Sequence, residues 1–111
     1  MTNTRKEDMV AFARQSGMSE EAIAEMVTRM DYLSGLSDKL ESAGIKRGLR
    51  NGSFWQLTVT GETWPIRKRL ASLGYRWDTR GRCWYRDMEM NAGSMHDQSV
   101  AADEELVEIL S

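Results

Sequence analysis

The sequence predicts an α+β fold: N-terminal helices packed with a small antiparallel sheet, followed by an acidic C-terminal helix. Three observations carry that expectation. Apolar residues recur at helical spacing through the first 43 residues. Between Phe54 and Asp87 the texture changes to alternating, aromatic-rich strands around one short helix. The last stretch returns to helical spacing with its acids gathered early.

Four segments follow: 1–44, helical; 45–53, a basic connector; 54–88, a strand-helix-hairpin unit; 89–111, a loop and an acidic helix. In the first, Met9, Val10, Phe12 and Ala13 share a side, and Gly17 interrupts. Ser19 suits an N-cap, with Glu20 and Glu21 at the positive end of the next helix. Ile23, Met26, Val27, Met30, Leu33, Leu36 and Leu40 continue the stripe, with Ser34-Gly35 as a break and Ala43-Gly44 as a stop. Intramolecular packing is the ordinary use of such a stripe. A homodimer or protein-binding seam through Met26, Met30 and Leu33 is the alternative.

Asn51-Gly52 marks a turn. In the strand after it, Trp55, Leu57 and Val59 point one way and Gln56, Thr58 and Thr60 the other. Pro65 fits the first turn of a helix whose Ile66, Leu70 and Leu73 share a face and whose C′ residue is Gly74. Tyr75 to Arg86 reads as a hairpin turning at Arg80-Gly81. That register sets Trp77 opposite Trp84 and puts Arg76, Tyr85, Asp78 and Cys83 on the other side. Trp55, Trp77 and Trp84 are the expected core aromatics; Trp64 and Tyr85 are expected to be more exposed. Residues 91–98 read as a loop, with Ser99 capping the last helix.

Composition narrows function. The 111 residues are 41% hydrophobic and 29% charged, within the globular range. One cysteine (Cys83) and one histidine (His96) give no disulfide and too few ligands for a protein-only zinc site. No cofactor motif is present, and neither is a long apolar run or a signal-like N-terminus. The expectation is a cytoplasmic protein without metal, cofactor or membrane. A Cys83-His96 pair is the sole enzymatic reading, set against a small buried thiol; the chain is therefore read as non-catalytic.

The net charge of -2 hides a segregation. Residues 44–87 hold ten basic and three acidic residues, whereas 88–111 hold six acids and no Lys or Arg. Seven of the nine aromatics fall between Phe54 and Tyr85, interleaved with those cations. Aromatic faces stack on unpaired bases and guanidinium groups pair with phosphates. The candidate nucleic-acid-binding residues are Trp64, Arg67, Lys68, Arg69, Arg76, Arg80, Arg82 and Tyr85. They are expected to gather on one accessible face, with the acidic helix folding over it to weaken non-specific binding.

The run Thr60-Gly61-Glu62-Thr63-Trp64-Pro65, then Leu70, Leu73-Gly74-Tyr75-Arg76-Trp77-Asp78 and Cys83-Trp84-Tyr85, resembles a small domain of unknown function found in plasmid primases and mobile-element DNA-processing proteins. More weakly, it is similar to the HARP domain of annealing helicases. The resemblance covers about a third of the chain. It implies structural roles for Trp55, Leu73, Gly74, Trp77, Asp78 and Trp84, and an accessory role on single-stranded or branched DNA, with a phage or mobile element as the source. The alternative is an inhibitor or adaptor from such an element that binds a host defence or nucleic-acid-processing protein complex.

Overall fold

The computed structural model describes residues 4–111. The chain forms two compact units, one running to Gly35 and the other Leu36–Ser111. Among the described residues there are four helices and one four-stranded antiparallel sheet, the α+β arrangement expected.

The first unit is a helical hairpin. Helix α1 (Thr4–Gln15) ends in a short turn and α2 (Glu20–Ser42) begins under the Ser19 cap, whose hydroxyl accepts the Ala22 N–H at 3.1 Å. Ala13 and Ile23 are buried, and Lys6 reaches Asp31 at 2.7 Å. Met26, Met30 and Leu33 are half-buried along α2. The break expected at Ser34-Gly35 does not occur, since α2 runs unbroken for 23 residues. A lone glycine disfavours a helix by only about 1 kcal/mol, and the apolar stripe on either side outweighs it.

The second unit holds the sheet. Its strands are β1 (Ile45–Asn51), β2 (Trp55–Gly61), β3 (Arg76–Asp78) and β4 (Cys83–Asp87), in the order β1-β2-β4-β3. The expected connector 45–53 is therefore corrected: most of it is β1, paired residue for residue with β2 from Ile45↔Gly61 to Asn51↔Trp55. Three cations and a glycine disguise it. An edge strand carries charge readily, because one of its sides is unpaired and charge there discourages further pairing.

Between β2 and β3 lie a 3₁₀ turn (Trp64–Ile66) and α3 (Arg67–Ser72). Gly74 closes α3 at φ 93°, a left-handed backbone that favours glycine. Its N–H donates to Ala71 O and that of Tyr75 to Leu70 O, both at 3.1 Å, as in a Schellman cap. The hairpin keeps the expected register: Trp77↔Trp84, Arg76↔Tyr85 and Asp78↔Cys83. Helix α4 (Met95–Leu110) begins earlier than expected. Ser94 is its cap, accepting the Asp97 N–H at 3.1 Å, and Ser99 is buried inside the helix.

Directly paired residues of antiparallel strands share a face. Ile45, Leu57 and Val59 thus lie on one side, where they form a core with Leu40 of α2, Ile66, Leu70 of α3, and Ala102 and Leu106 of α4. Leu57, Leu70, Leu106 and Val59 are its largest fully buried side chains. Each contributes about 1.5–3 kcal/mol on burial. The tryptophans expected there are not its centre. Trp55 is 44% and Trp77 49% exposed; Trp84 is half-buried against the cluster. Trp55 opens β2 and Trp77 sits on a three-residue edge strand, so neither has neighbours on all sides.

Candidate nucleic-acid interface

Alternation assigns the other side of the sheet. One row crosses all four strands: Gly48, Thr58, Tyr85, Arg76. A second places Arg50, Gln56 and Asp87 side by side. Lys46 and Thr60 form another pair, and Asp78 and Cys83 a fourth. The core residues of α2, α3 and α4 all pack against the opposite side.

Tyr85 is central to this open face. On its β2 side lie only Thr58 and then Gly48, where a Cβ would come within 2.9 Å of the Thr58 hydroxyl oxygen. Arg50 extends over the Tyr85 ring, its guanidinium carbon 4.9 Å from the centroid. It donates to Gln56 Oε1 (2.6 Å), Asp78 Oδ2 (2.8 Å) and Cys83 Sγ (3.4 Å). Asp78 in turn accepts the backbone N–H groups of Arg80 and Gly81 at 3.0 and 3.1 Å. The Gly81 N–H, then Arg50, hold the Asp78 carboxyl below the usual aspartate range, and the Asp78 hydrogen bond raises the Arg50 pKa. The result is a fixed cation stacked on an aromatic ring. Beside it, Phe54, Gln56, Arg76, Tyr85, Asp87 and Glu89 are among the residues lining an open groove of about 560 Å³.

Lys46 and Arg76 are exposed on this face, and Arg80 and Arg82 are exposed at the β3–β4 turn. None of the four is in an ion pair among the described residues.

The eight expected binding residues divide between two places. Arg76 and Tyr85 share the open face, with Arg80 and Arg82 at the adjoining turn. Trp64, Arg67, Lys68 and Arg69 belong to the 3₁₀ turn and α3, the element packed beneath the sheet. Trp64 is 72% exposed, with the Arg67 guanidinium 3.7 Å from its ring centroid. Arg69 is engaged, donating to the Ile109 carbonyl. The expected single face is thus corrected, because α3 lies on the core side of the sheet and Arg76 and Tyr85 on the other. Alternation alone did not reveal Arg50 or Lys46, since both depend on β1 being a strand.

The acidic helix also lies elsewhere than expected. It covers the core side, where Arg47 donates to Asp103 through Nε (2.7 Å) and Nη2 (3.1 Å). Arg86 donates to Glu105 (3.1 Å) and to the Leu73 carbonyl (2.9 Å). Arg76 on the open face lies across the sheet from those carboxylates.

Cys83 is buried beneath Arg50, and His96 is exposed in the first turn of α4. Among the described residues no group of three or more His, Cys, Asp or Glu is placed to hold a metal ion. No helix among them is long and apolar enough to cross a membrane. Comparison with protein-family models, with curated proteins and with solved structures returns no match.

Proposed function

We propose that this chain is a non-catalytic binding protein for single-stranded nucleic acid, either a free strand or the unpaired segment of branched DNA. One observation carries the reading: within the second unit Leu40, Ile66, Leu70, Ala102 and Leu106 pack against one side of the sheet, and the other side centres on Tyr85, with Lys46, Arg76, Arg80 and Arg82 in no ion pair among the described residues. Bases stack against aromatic and guanidinium planes, which the Tyr85–Arg50 pair supplies. Phosphates take the free cations, Lys46, Arg76, Arg80 and Arg82. Gln56 and Asp87 line the adjacent groove, where base edges require donors and acceptors.

The test is fluorescence anisotropy with labelled oligo-dT and a forked duplex over a series of salt concentrations. Log affinity is expected to fall linearly with log salt, by about 0.7 per phosphate contacted on a single strand. Tyr85→Leu weakens binding by about 1–3 kcal/mol, the usual worth of one stacked base. Arg76→Ala lowers the salt slope by about one contact. Arg67→Ala with Lys68→Ala leaves both quantities unchanged. No binding at low salt, or loss confined to the α3 variant, overturns the proposal.

A further inference from the structure

The groove beside Tyr85 adjoins a second concavity through Ser53, Phe54, Met88 and Glu89. Phe54 is 58% exposed, Trp55 44%, Met90 90% and Met95 38%. With Met88 they line an open notch of about 310 Å³ between the β1–β2 turn and the loop from β4 to α4. Exposed apolar groups gathered in a concavity mark an interaction site far more often than scattered ones do.

The notch is held in shape before anything binds. The Met88 N–H donates to the Trp55 carbonyl at 2.9 Å. Gln98 clamps the loop: its Oε1 accepts the Glu89 N–H (2.9 Å), and its Nε2 donates to the carbonyls of Glu89 (2.6 Å) and Gly93 (3.1 Å). A preformed site spares a partner the cost of ordering it. Methionines then adapt to the incoming side chain.

Charge decides which partner fits. Glu89 is the charged residue in the notch lining, and its carboxylate makes no hydrogen bond or ion pair among the described residues. Asp87 precedes it in sequence and Asp97 adjoins Gly93. No Lys or Arg occurs from Met88 to Ser111. The notch lining therefore offers a phosphate no cation, whereas the adjoining groove includes Arg76 and Arg86. We infer that the notch is a second site, one that docks a segment of another protein presenting large apolar side chains flanked by Lys or Arg. It adjoins the groove beside Tyr85 and shares Ser53, Phe54, Met88 and Glu89 with it, but Trp55, Met90 and Met95 belong to the notch alone, and its lining holds no Lys or Arg.

The experiment titrates three peptides into the full chain, observed through its methionine methyl resonances: a Leu/Lys amphipathic peptide, its Leu/Glu counterpart and a Ser/Lys peptide. The Leu/Lys peptide is expected to shift Met88, Met90 and Met95, and the other two to leave them in place. Met90→Ser with Met95→Ser weakens that binding about tenfold, the effect of losing an apolar anchor. Oligo-dT affinity stays unchanged in the same variant. Equal binding of the Leu/Glu peptide overturns the inference, as do shifts confined to Met18, Met26 and Met30. Self-association abolished by the double variant also overturns it, by assigning the notch to a second copy of the chain. Loss of oligo-dT binding in that variant overturns it too, by making the notch part of the nucleic-acid site.

Discussion

The covered face of the sheet carries Arg47 and Arg86, and each meets a carboxylate supplied by α4. On the open face the exposed Lys46 and Arg76 meet none, while the half-buried Arg50 meets Asp78. All five residues come from the same basic stretch of sequence and look alike there. The difference arises from depth. A guanidinium drawn out of water must regain what it lost from a partner. An exposed cation such as Lys46 or Arg76 keeps its water and needs no partner, so it stays available to a ligand. The acidic tail is therefore in part a structural complement to the covered face, with Asp103 and Glu105 as its working members.

The largest effect tests the covered side alone. Leu106 is fully buried between α4 and the sheet, and Leu106→Ala is expected to destabilise the fold by about 4 kcal/mol in urea denaturation. An equivalent truncation on the open face, Thr58→Ala, changes stability by no more than about 0.5 kcal/mol. Similar losses from the two would show that the faces are not distinct in packing.

Next in size is the charge of the covered face. The Arg47 and Asp103 side chains are 20% and 12% exposed. Asp103→Ala leaves the guanidinium without its partner and costs about 3 kcal/mol. The paired change Arg47→Met with Asp103→Leu returns to within about 1 kcal/mol of the parent, since both charges and their desolvation disappear together. Were the double variant no better than the single, the pair would have a role other than mutual compensation.

These two faces were unequally legible in the sequence. The hairpin was readable to the residue, because Arg80-Gly81 fixes the turn and alternation then fixes every partner. Alternation alone therefore places Tyr85 and Arg76 together. Strand β1 was not readable, because Lys46, Arg47, Gly48 and Arg50 carry the composition of a connector. Its Ile45-Arg47-Leu49 alternation makes sense only once Asp103 is seen to meet Arg47. Half of the open face was hidden with it, including the Arg50 that stacks on Tyr85. Tryptophan identity also misled, since size states a preference for burial but not depth, and the deep positions went to Leu57, Leu70, Leu106 and Val59. Helix α4 starts at Ser94 and not at Ser99, and Asp97 three residues on from Ser94 suits the positive helix end.

On the open face the charge interaction is weaker and titratable. Asp78 is held below its ordinary value of 3.8 by the Gly81 N–H and by Arg50. A carboxyl with a depressed pKa adds stability above the unfolded value and loses it as pH falls through the folded one. The protection of the Gly81 amide relative to its intrinsic exchange rate is therefore expected to hold above about pH 4 and to fall progressively below it. Asp78→Asn removes that acid dependence while leaving the β1–β2 pairing protected. Acid-insensitive exchange in the parent chain would sever Asp78 from the turn.

The smallest expected effect returns to the covered face and examines its one exception. The Tyr75 hydroxyl is buried without a hydrogen-bond partner among the described residues, in a residue only 3% exposed. Burial pushes its pKa up, while the Arg86 guanidinium, 4.7 Å from the ring centroid, opposes that rise. The ring supplies packing and a surface for Arg86; the oxygen supplies neither. Removing an unsatisfied buried group is neutral or favourable, so Tyr75→Phe shifts stability by less than about 0.5 kcal/mol or raises it. Arg86 retains its stacking surface in that variant, and its bonds to Glu105 and Leu73 are untouched. A loss of 2 kcal/mol or more, roughly the worth of a hydrogen bond to a charged group, would instead mean that the hydroxyl donates to a partner. The covered face would then be satisfied throughout, and its contrast with the open one would be complete.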